Sequence, residues 1–396
     1  MTGAGLPLEG VRVVEMTHMV MGPTCGMILA QLGAEVIKVE PPAGDKTRSL
    51  GGMGTAFFPL FNRGKRSVVL DLARPEDRDT MHRLLASADV FLENFRDGQL
   101  EKQGLGAEEL RRRHPDLIVC GHKGFLSGPY EHRPALDEVV QMMSGLATMP
   151  GTREKTQRVG SSANDIMGGM FGVISILAAL YQKRGGAKAA EPGADIRIGL
   201  FENCLFLVAQ HMVEYEMTGN RPRSMPEREH AWPIYDIFET AGGERIFIGV
   251  VTEGHWQSFC REFGMTEFLE DPSLRTTTDR ILARSRIIPR AAEVIKKWNA
   301  AELSAVLDRL NICFSPINRP EDLFNDPHVL RPGGLVNNIN ANGAPFRVPA
   351  LPIEWNGANI GEGLKVPVLG ADTDAVRAEL ESLELSSTGQ IAARIA

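Results

Sequence analysis

The chain has 396 residues, 43% hydrophobic and 23% charged, enough for two cores and far from the composition of a disordered scaffold. Its net charge is -7 with no long basic run, which argues against a general nucleic-acid or membrane-surface binder, because such proteins concentrate Lys and Arg to neutralise phosphates. An anionic ligand must therefore meet a local basic patch.

Val11 to Glu15 is a valine-rich run that reads as a strand, followed by the helix-like GPTCGMILAQLGA and a second strand at Glu35 to Glu40. The alternation continues with a strand at Ser67 to Leu72, a helix at Pro75 to Ser87, a strand at Val90 to Asn94, a helix at Ala107 to Arg113 and a strand at Leu117 to Gly121. Strands alternating with helices predict an α/β fold with a parallel sheet covered on both faces. Helices follow at Leu136 to Ala147 and Asp165 to Lys183, then a strand at Asp195 to Gly199 and a helix at Phe201 to Met217. The apolar stretch Ile166 to Tyr181 carries three glycines and reads as a buried core helix, shorter than a membrane span.

The Pro- and Arg-rich stretch 219–229 reads as a linker. Beyond it a small α+β domain is expected over 230–319, with a strand at Glu244 to Val251 and helices at His255 to Phe263, Thr278 to Lys297 and Ala301 to Leu310. Residues 320–352 look irregular, a second linker, and Asp374 to Glu384 reads as a helix.

Familiar chemical signatures are missing. The first βαβ unit has no GxGxxG or GxxxxGK[ST], so a nucleotide fingerprint is absent where one would stand. GGMG at Gly51 to Gly54 follows a loop and reads as a turn; GxSxG, HExxH and EF-hand patterns do not occur. The five cysteines, Cys25, Cys120, Cys204, Cys260 and Cys313, are odd in number and scattered, and the nine histidines lack metal-ligand spacing. Neither disulfides nor a metal is expected, and with no secretory-type leader the expected location is cytoplasmic. His122, at the end of a strand, is the histidine best placed to line a site.

Asp165 stands in GSSANDIMGGM at the start of the apolar helix. Two readings are open. Asp is a favoured N-cap; alternatively, the positive end of the helix holds a carboxylate facing a cleft as a nucleophile, with Gly168 and Gly169 letting a ligand approach.

Seven ordered blocks, THMVMGPTCGMILAQLGAEVIKVEPPAGDKTR, FNRGKRSVVLDL, ENFRDGQLEKQG, KGFLSGPYEHRPALDEVVQMMSGL, GSSANDIMGGM, NDPHVLRPGG and VPVLGADTD, together resemble the class III CoA-transferase family that includes formyl-CoA transferase. The resemblance implies a Rossmann-like large domain built from both chain ends, 1–218 and 353–396, a small domain between two linkers, and two ring-shaped subunits interlocked as a homodimer. It implies that Asp165 attacks an acyl-CoA thioester to form an aspartyl mixed anhydride and then an aspartyl-CoA thioester, with no cofactor beyond the coenzyme A thioester substrate. It puts Val20, Met21, Leu70, Asp71, Leu72, Asn94, Phe95, Arg96, Lys102, Ala135, Leu136, Asp137 and Glu138 on positions that line the CoA channel.

Within that family the block HKGFLSGPYEHRPALDEVVQMM, His122 to Met143, is most similar to members handling C4 and C5 dicarboxylic acyl groups, including succinyl-CoA-dependent transfer and the intramolecular mesaconyl-CoA C1 to C4 transfer. A second carboxylate wants a cation or several N–H donors, and His18, Arg48, Lys123 and Arg133 are candidates; Lys65 and Arg66 add to the basic character nearby. Val20 stands where formyl-CoA transferases carry Gln, Pro41 where they carry Arg, and no glycine-rich loop is found near HAWPIYDIFET. These departures point away from oxalate–formate exchange. The rival readings are an α-methylacyl-CoA racemase-like isomerase, against which Leu136 stands in place of the required histidine, and a non-catalytic CoA-binding protein.

Overall fold

A computed structural model describes residues 5–152, 154–186, 193–228 and 230–383. The expected large-domain residues 1–4, 153, 187–192 and 384–396, and Glu229 at the end of the expected first linker, lie outside the described residues. The chain divides into two compact units, one running up to Pro226 and again from Leu330, the other covering Glu227–Val329.

The larger unit is built on strands β1 (Arg12–Met16), β2 (Glu35–Glu40), β3 (Arg66–Val69), β4 (Val90–Glu93), β5 (Ile118–Lys123) and β6 (Ala194–Gly199). They form one all-parallel sheet in the order β3-β2-β1-β4-β5-β6. Neighbouring strand residues feed opposite faces. Val13, Val36, Val90, Leu92 and Ile118 pack under helices α1 (Met21–Gln31) and, after α2 (Phe57–Asn62), α3 (Pro75–Ala86), α4 (Ala107–Arg113) and α5 (Asp137–Met143), under α6 (Ala163–Tyr181). Val14, Ile37, Val68, Phe91 and Val119 pack instead against α3, α4 and the closing helical stretch over 373–383. Burial on both faces is why these strands read as nearly unbroken valine and isoleucine runs.

Helix α7 (Leu200–Thr218) follows β6 directly and ends on Gly219, whose left-handed φ of 70° lets its N–H reach the Tyr215 carbonyl at 2.8 Å. Helix α6 departs from its expected role as a buried core helix. Together with the turn after it, Ala163–Gly185 is long and apolar enough to cross a bilayer by composition, and only 39% of that window is buried. One face lies on α1 and the sheet, while Met170, Ile174 and Leu177 on the other face are exposed.

The smaller unit holds an antiparallel sheet of β7 (Ile234–Glu239), β8 (Arg245–Val250) and β9 (Cys313–Pro316). Helices α8 (Glu253–Glu262), α9 (Glu267–Glu270), α10 (Thr277–Leu282), α11 (Arg284–Ile295) and α12 (Ala300–Arg309) close over a core centred on Trp256, Phe259 and Ile287. The single helix expected over 278–297 is two, because Ala283 leaves helical geometry and caps both. The segment 320–352, expected to be an irregular linker, contains an antiparallel hairpin of β10 (Leu335–Ile339) and β11 (Pro345–Pro349), which belongs to the larger unit. The alternation of this hairpin is weak because only Val336, Asn338 and Val348 are buried.

Candidate active site

The strand order reverses between β1 and β4, which opens a crevice at their carboxyl ends. The chain leaves β1 through Thr17, His18 and Met19, and leaves β4 through Asn94 and Phe95. These exits are stitched together: the His18 N–H donates to Asn94 Oδ1 at 3.0 Å, Asn94 Nδ2 donates to the His18 carbonyl at 2.7 Å, and the His18 and Phe95 rings meet edge-on at 5.8 Å. Met19, a non-glycine residue, has φ of 66°; a left-handed conformation costs roughly 1–2 kcal/mol. It turns the chain sharply into α1, whose cap Val20 and first residue Met21 are both buried.

Leu70, Asp71 and Leu72 lie just past the carboxyl end of β3. Leu70 is a core residue, and Leu72 and Phe95 pack on the same apolar cluster. Asp71 is tied locally, its N–H to Asp77 and its carboxylate to the Ala73 N–H. Arg96 and Lys102 are exposed, and neither makes an ion pair among the described residues. A diphosphate or a phosphorylated ribose would find its positive charge there.

Four other candidate cations, Arg48, Lys65, Arg66 and Lys123, are already spent. Arg48 places Nε and Nη2 each 2.7 Å from the buried Glu40 carboxylate, donates to the Pro367 carbonyl and stacks 3.8 Å above Phe58. Burial alone would raise the Glu40 carboxyl; hydrogen bonds from Arg48, Ser67 and the Asp45 N–H outweigh it and lower it. Lys65 is fully buried 2.7 Å from Glu15, with Lys38 bridging Glu15 and Asp45. Arg66 joins Glu35 and Glu379, and Lys123 sits 2.8 Å from Glu93. Arg48 therefore belongs to the scaffold and not to a substrate pocket, and Lys65, Arg66 and Lys123 are neutralised likewise. Arg133 stacks over Tyr130 at 4.2 Å.

Asp165 is not a helix cap. Ser162 occupies that position, and Asp165 is the third residue of α6. No hydrogen bond or ion pair reaches its carboxylate among the described residues, and the residue is half-buried. Burial, with the Asp137 charge adding to it, pushes its carboxyl up to about 7. Near neutral pH the folded chain therefore keeps a proton on Asp165 that an ordinary carboxyl would have released, and the ionised form is poorly solvated and more basic.

Asp137, the first residue of α5, is raised too; burial raises it, against hydrogen bonds from Gln141 and Asn164 and the charge of Arg158. Leu136 caps α5 with no acidic group and is 61% exposed, and Glu138 pairs with Arg158 at 2.6 Å. Ala135 packs with Met21 and Cys204.

Gly168 and Gly169 do not serve ligand approach. A Cβ on Gly168 would stand 2.5 Å from the Met21 side chain, and one on Gly169 would stand 2.7 Å from the Met21 carbonyl oxygen and from Thr24. They bring α6 close to α1, and their N–H groups lie in the second turn, already used by the helix. His122 is likewise sealed: it is 3% exposed beneath α6, 2.6 Å from where a Gly172 Cβ would stand, and burial lowers its ring to about 4. Among the described residues no group of three or more His, Cys, Asp or Glu is arranged to hold a metal ion.

The structure thus gathers His18, Asn94, Phe95 and Leu70 to Leu72 at the strand ends, and Met21, Ala135, Leu136, Asp137 and Asp165 around the first turns of α1, α5 and α6. Sequence reasoning missed Asn164, Asn203 and Gln141, buried amides whose only signal is that a polar residue interrupts an apolar helix.

A family profile described as CoA-transferase family III matches residues 8–373. A succinate–glutarate CoA-transferase of Agrobacterium fabrum is 31% identical over 395 residues, covering 96% of this chain and 98% of its own. A succinyl-CoA–D-citramalate CoA-transferase of Chloroflexus aurantiacus is 30% identical over 373 residues, covering 90% and 92%. The crystal structure of a CAIB/BAIF family protein from Brucella suis superposes with a TM-score of 0.83 at 32% identity, covering 95% of this chain and 100% of that one. The chain belongs to CoA-transferase family III.

Proposed function

We propose that the enzyme moves coenzyme A between C4 and C5 dicarboxylic acids, drawing it from succinyl-CoA, with Asp165 as the group that is transiently acylated. One observation carries the assignment of Asp165: a half-buried carboxylate in the first turn of a helix, with no partner among the described residues and a proton affinity raised to near neutrality. The substrate class is supported by the dicarboxylates in the names of the two relatives.

The reaction begins with an Asp165 oxygen attacking the thioester carbonyl. The C–S bond breaks, CoA leaves as its thiolate and an aspartyl–succinyl anhydride remains. The thiolate then attacks the aspartyl carbonyl, which releases succinate and leaves an aspartyl-CoA thioester. The acceptor carboxylate attacks that thioester, and CoA, expelled once more, takes the acceptor's acyl carbon and frees Asp165. No net proton or electron is transferred. The N–H groups of Ala163, Asn164 and Asp165, which a helix leaves without internal acceptors, face the developing oxyanion in this scheme. Water must be kept out because the anhydride hydrolyses readily.

The enzyme works as a homodimer in this proposal, in the interlocked arrangement that the resemblance implies. Support comes from the exposed apolar residues Leu136, the cap of α5, Met142 on α5, Met170 and Ile174 on α6, and Phe206 and Met217 on α7, which a partner subunit would cover. Such a face fits the exposed side of α6 without a membrane.

Incubation with succinyl-CoA and hydroxylamine tests the central claim. A hydroxamate at Asp165 is expected, and glutarate, citramalate and mesaconate are then compared as acceptors. Failure to find any adduct on Asp165 in active enzyme would overturn the mechanism. Transfer that requires no added acid, seen with mesaconyl-CoA alone, would move the reading to the intramolecular reaction.

A further inference from the structure

The residue before the nucleophile is fully buried and its polar groups are engaged. Asn164 is 0% exposed; its Nδ2 donates to the Leu200 carbonyl at 3.1 Å. Asn203 Nδ2 donates in turn to the Asn164 carbonyl at 2.6 Å and to its Oδ1 at 2.9 Å. The Asn164 side chain also faces the Asp137 carboxylate. Three helices therefore meet by their first turns at one amide: α5 through Asp137, α6 through Asn164 itself, and α7 through Leu200 and Asn203.

A second amide extends the arrangement. Gln141, 1% exposed, donates from Nε2 to Asp137 Oδ1 at 3.1 Å and accepts the Val159 N–H on Oε1 at 3.0 Å. It thereby ties Asp137 to the segment that leads into α6. Stability alone does not call for this, since buried amides cost desolvation that apolar residues of the same volume avoid. What the amides supply is direction: their hydrogen bonds are satisfied in one relative placement of the three helix starts and lost in others.

We propose that Asn164 is a positioning residue for the Asp165 nucleophile, locking the first turn of α6 to those of α5 and α7 so that the Asp165 carboxylate is held beside Asp137 and in line with the thioester carbonyl. This inference rests on the reading of Asp165 as nucleophile. A carboxylate that attacks without a hydrogen-bond partner of its own has nothing but its backbone and neighbours to aim it, so the lock acts one residue upstream. Misplacement of a reacting group by about 1 Å costs on the order of 100-fold in rate.

The test compares wild type, Asn164→Ala, Asn203→Ala, the double variant carrying both and, as a distant buried-amide control, Gln31→Ala, using full-length enzyme and succinyl-CoA. Asn164→Ala is expected to lower kcat about 30-fold with KM for succinyl-CoA within threefold, and to shift the midpoint of the kcat–pH profile. Asn203→Ala is expected to move the same two quantities less, with the double variant no worse than Asn164→Ala, because both act through one lock. Gln31→Ala is expected to change thermal stability alone. If Asn164→Ala loses stability yet keeps kcat, pH profile and rate of Asp165 adduct formation, the amide is merely structural and the proposal falls. If Asn164→Ala does not fold, the same comparison is decided by Asn203→Ala. Absence of an Asp165 adduct in wild type would instead refute the nucleophile assignment, which separates the two failures.

Discussion

Replacing Asp165 by asparagine removes the nucleophile and, in the same stroke, a carboxylate that the fold holds against its solvation. The ordinary carboxyl value of 3.8 is raised to about 7. That is about three decades of proton affinity at about 1.4 kcal/mol each, or about 4 kcal/mol. The sign follows from proton uptake. Between about pH 4 and pH 7 the folded chain keeps a proton that the unfolded chain has released, so stability falls as pH rises across that window and is flat on either side. An isosteric neutral amide escapes the loss. Asp165→Asn is therefore expected to match wild type in thermal unfolding near pH 4 and to exceed it by up to about 4 kcal/mol at pH 8, a Tm rise of about 5 °C for a chain of this size. CoA transfer should be abolished. Calorimetry of the two proteins at pH 4.5, 6 and 8 checks it. Equal Tm values at pH 8, or a less stable variant, would refute the account of a destabilised catalytic carboxylate.

Other consequences can be measured alongside. As Asp165 ionises, kcat/KM of wild type should rise with pH and level off above about 7; a profile flat from pH 5 to 8 would contradict this. Gly169→Ala should lower stability by roughly 1–3 kcal/mol, because its Cβ would meet the Met21 carbonyl and Thr24 at 2.7 Å, and thermal melts read the loss. Lys65→Met leaves Glu15 without its 2.7 Å partner and should cost roughly 3–5 kcal/mol in denaturant unfolding. Arg96→Ala and Lys102→Ala should each raise KM for the acyl-CoA about threefold, an effect that shrinks in high salt and leaves kcat unchanged. Ile174→Arg on the exposed face of α6 should yield a monomer by light scattering while far-ultraviolet circular dichroism stays native.

Much of the larger unit was legible in its sequence. Val13 and Val14, facing opposite layers, betray a strand buried on both sides, and the spacing of such runs with amphipathic helices leaves a parallel sheet as the economical arrangement. Other segments gave poorer signals. The hairpin at Leu335–Ile339 and Pro345–Pro349 buries few residues and carries Asn and Pro in its strands, so its pairing is set by its partners more than by its own pattern. Ala283 divides a helix although its neighbours favour one, since a break there is decided by how α10 and α11 each meet the core.

At the site, sequence determined which chemical groups are available: a carboxylate at position 165 ahead of a glycine-bearing apolar helix, cations at 48, 65, 66, 96, 102 and 123, and leucine at 136. It could not determine which of them are free. Arg48 and Lys123 look like ligands for an anion until Glu40, at the end of the strand just before Arg48, and Glu93, on the strand beside Lys123, are found to neutralise them. Gly168 and Gly169 look like room for a substrate until α1 fills the space. Tertiary structure also decided the state of Asp165, because proton affinity depends on how much water and how many neighbouring charges surround a carboxyl, and neither quantity is local in the chain.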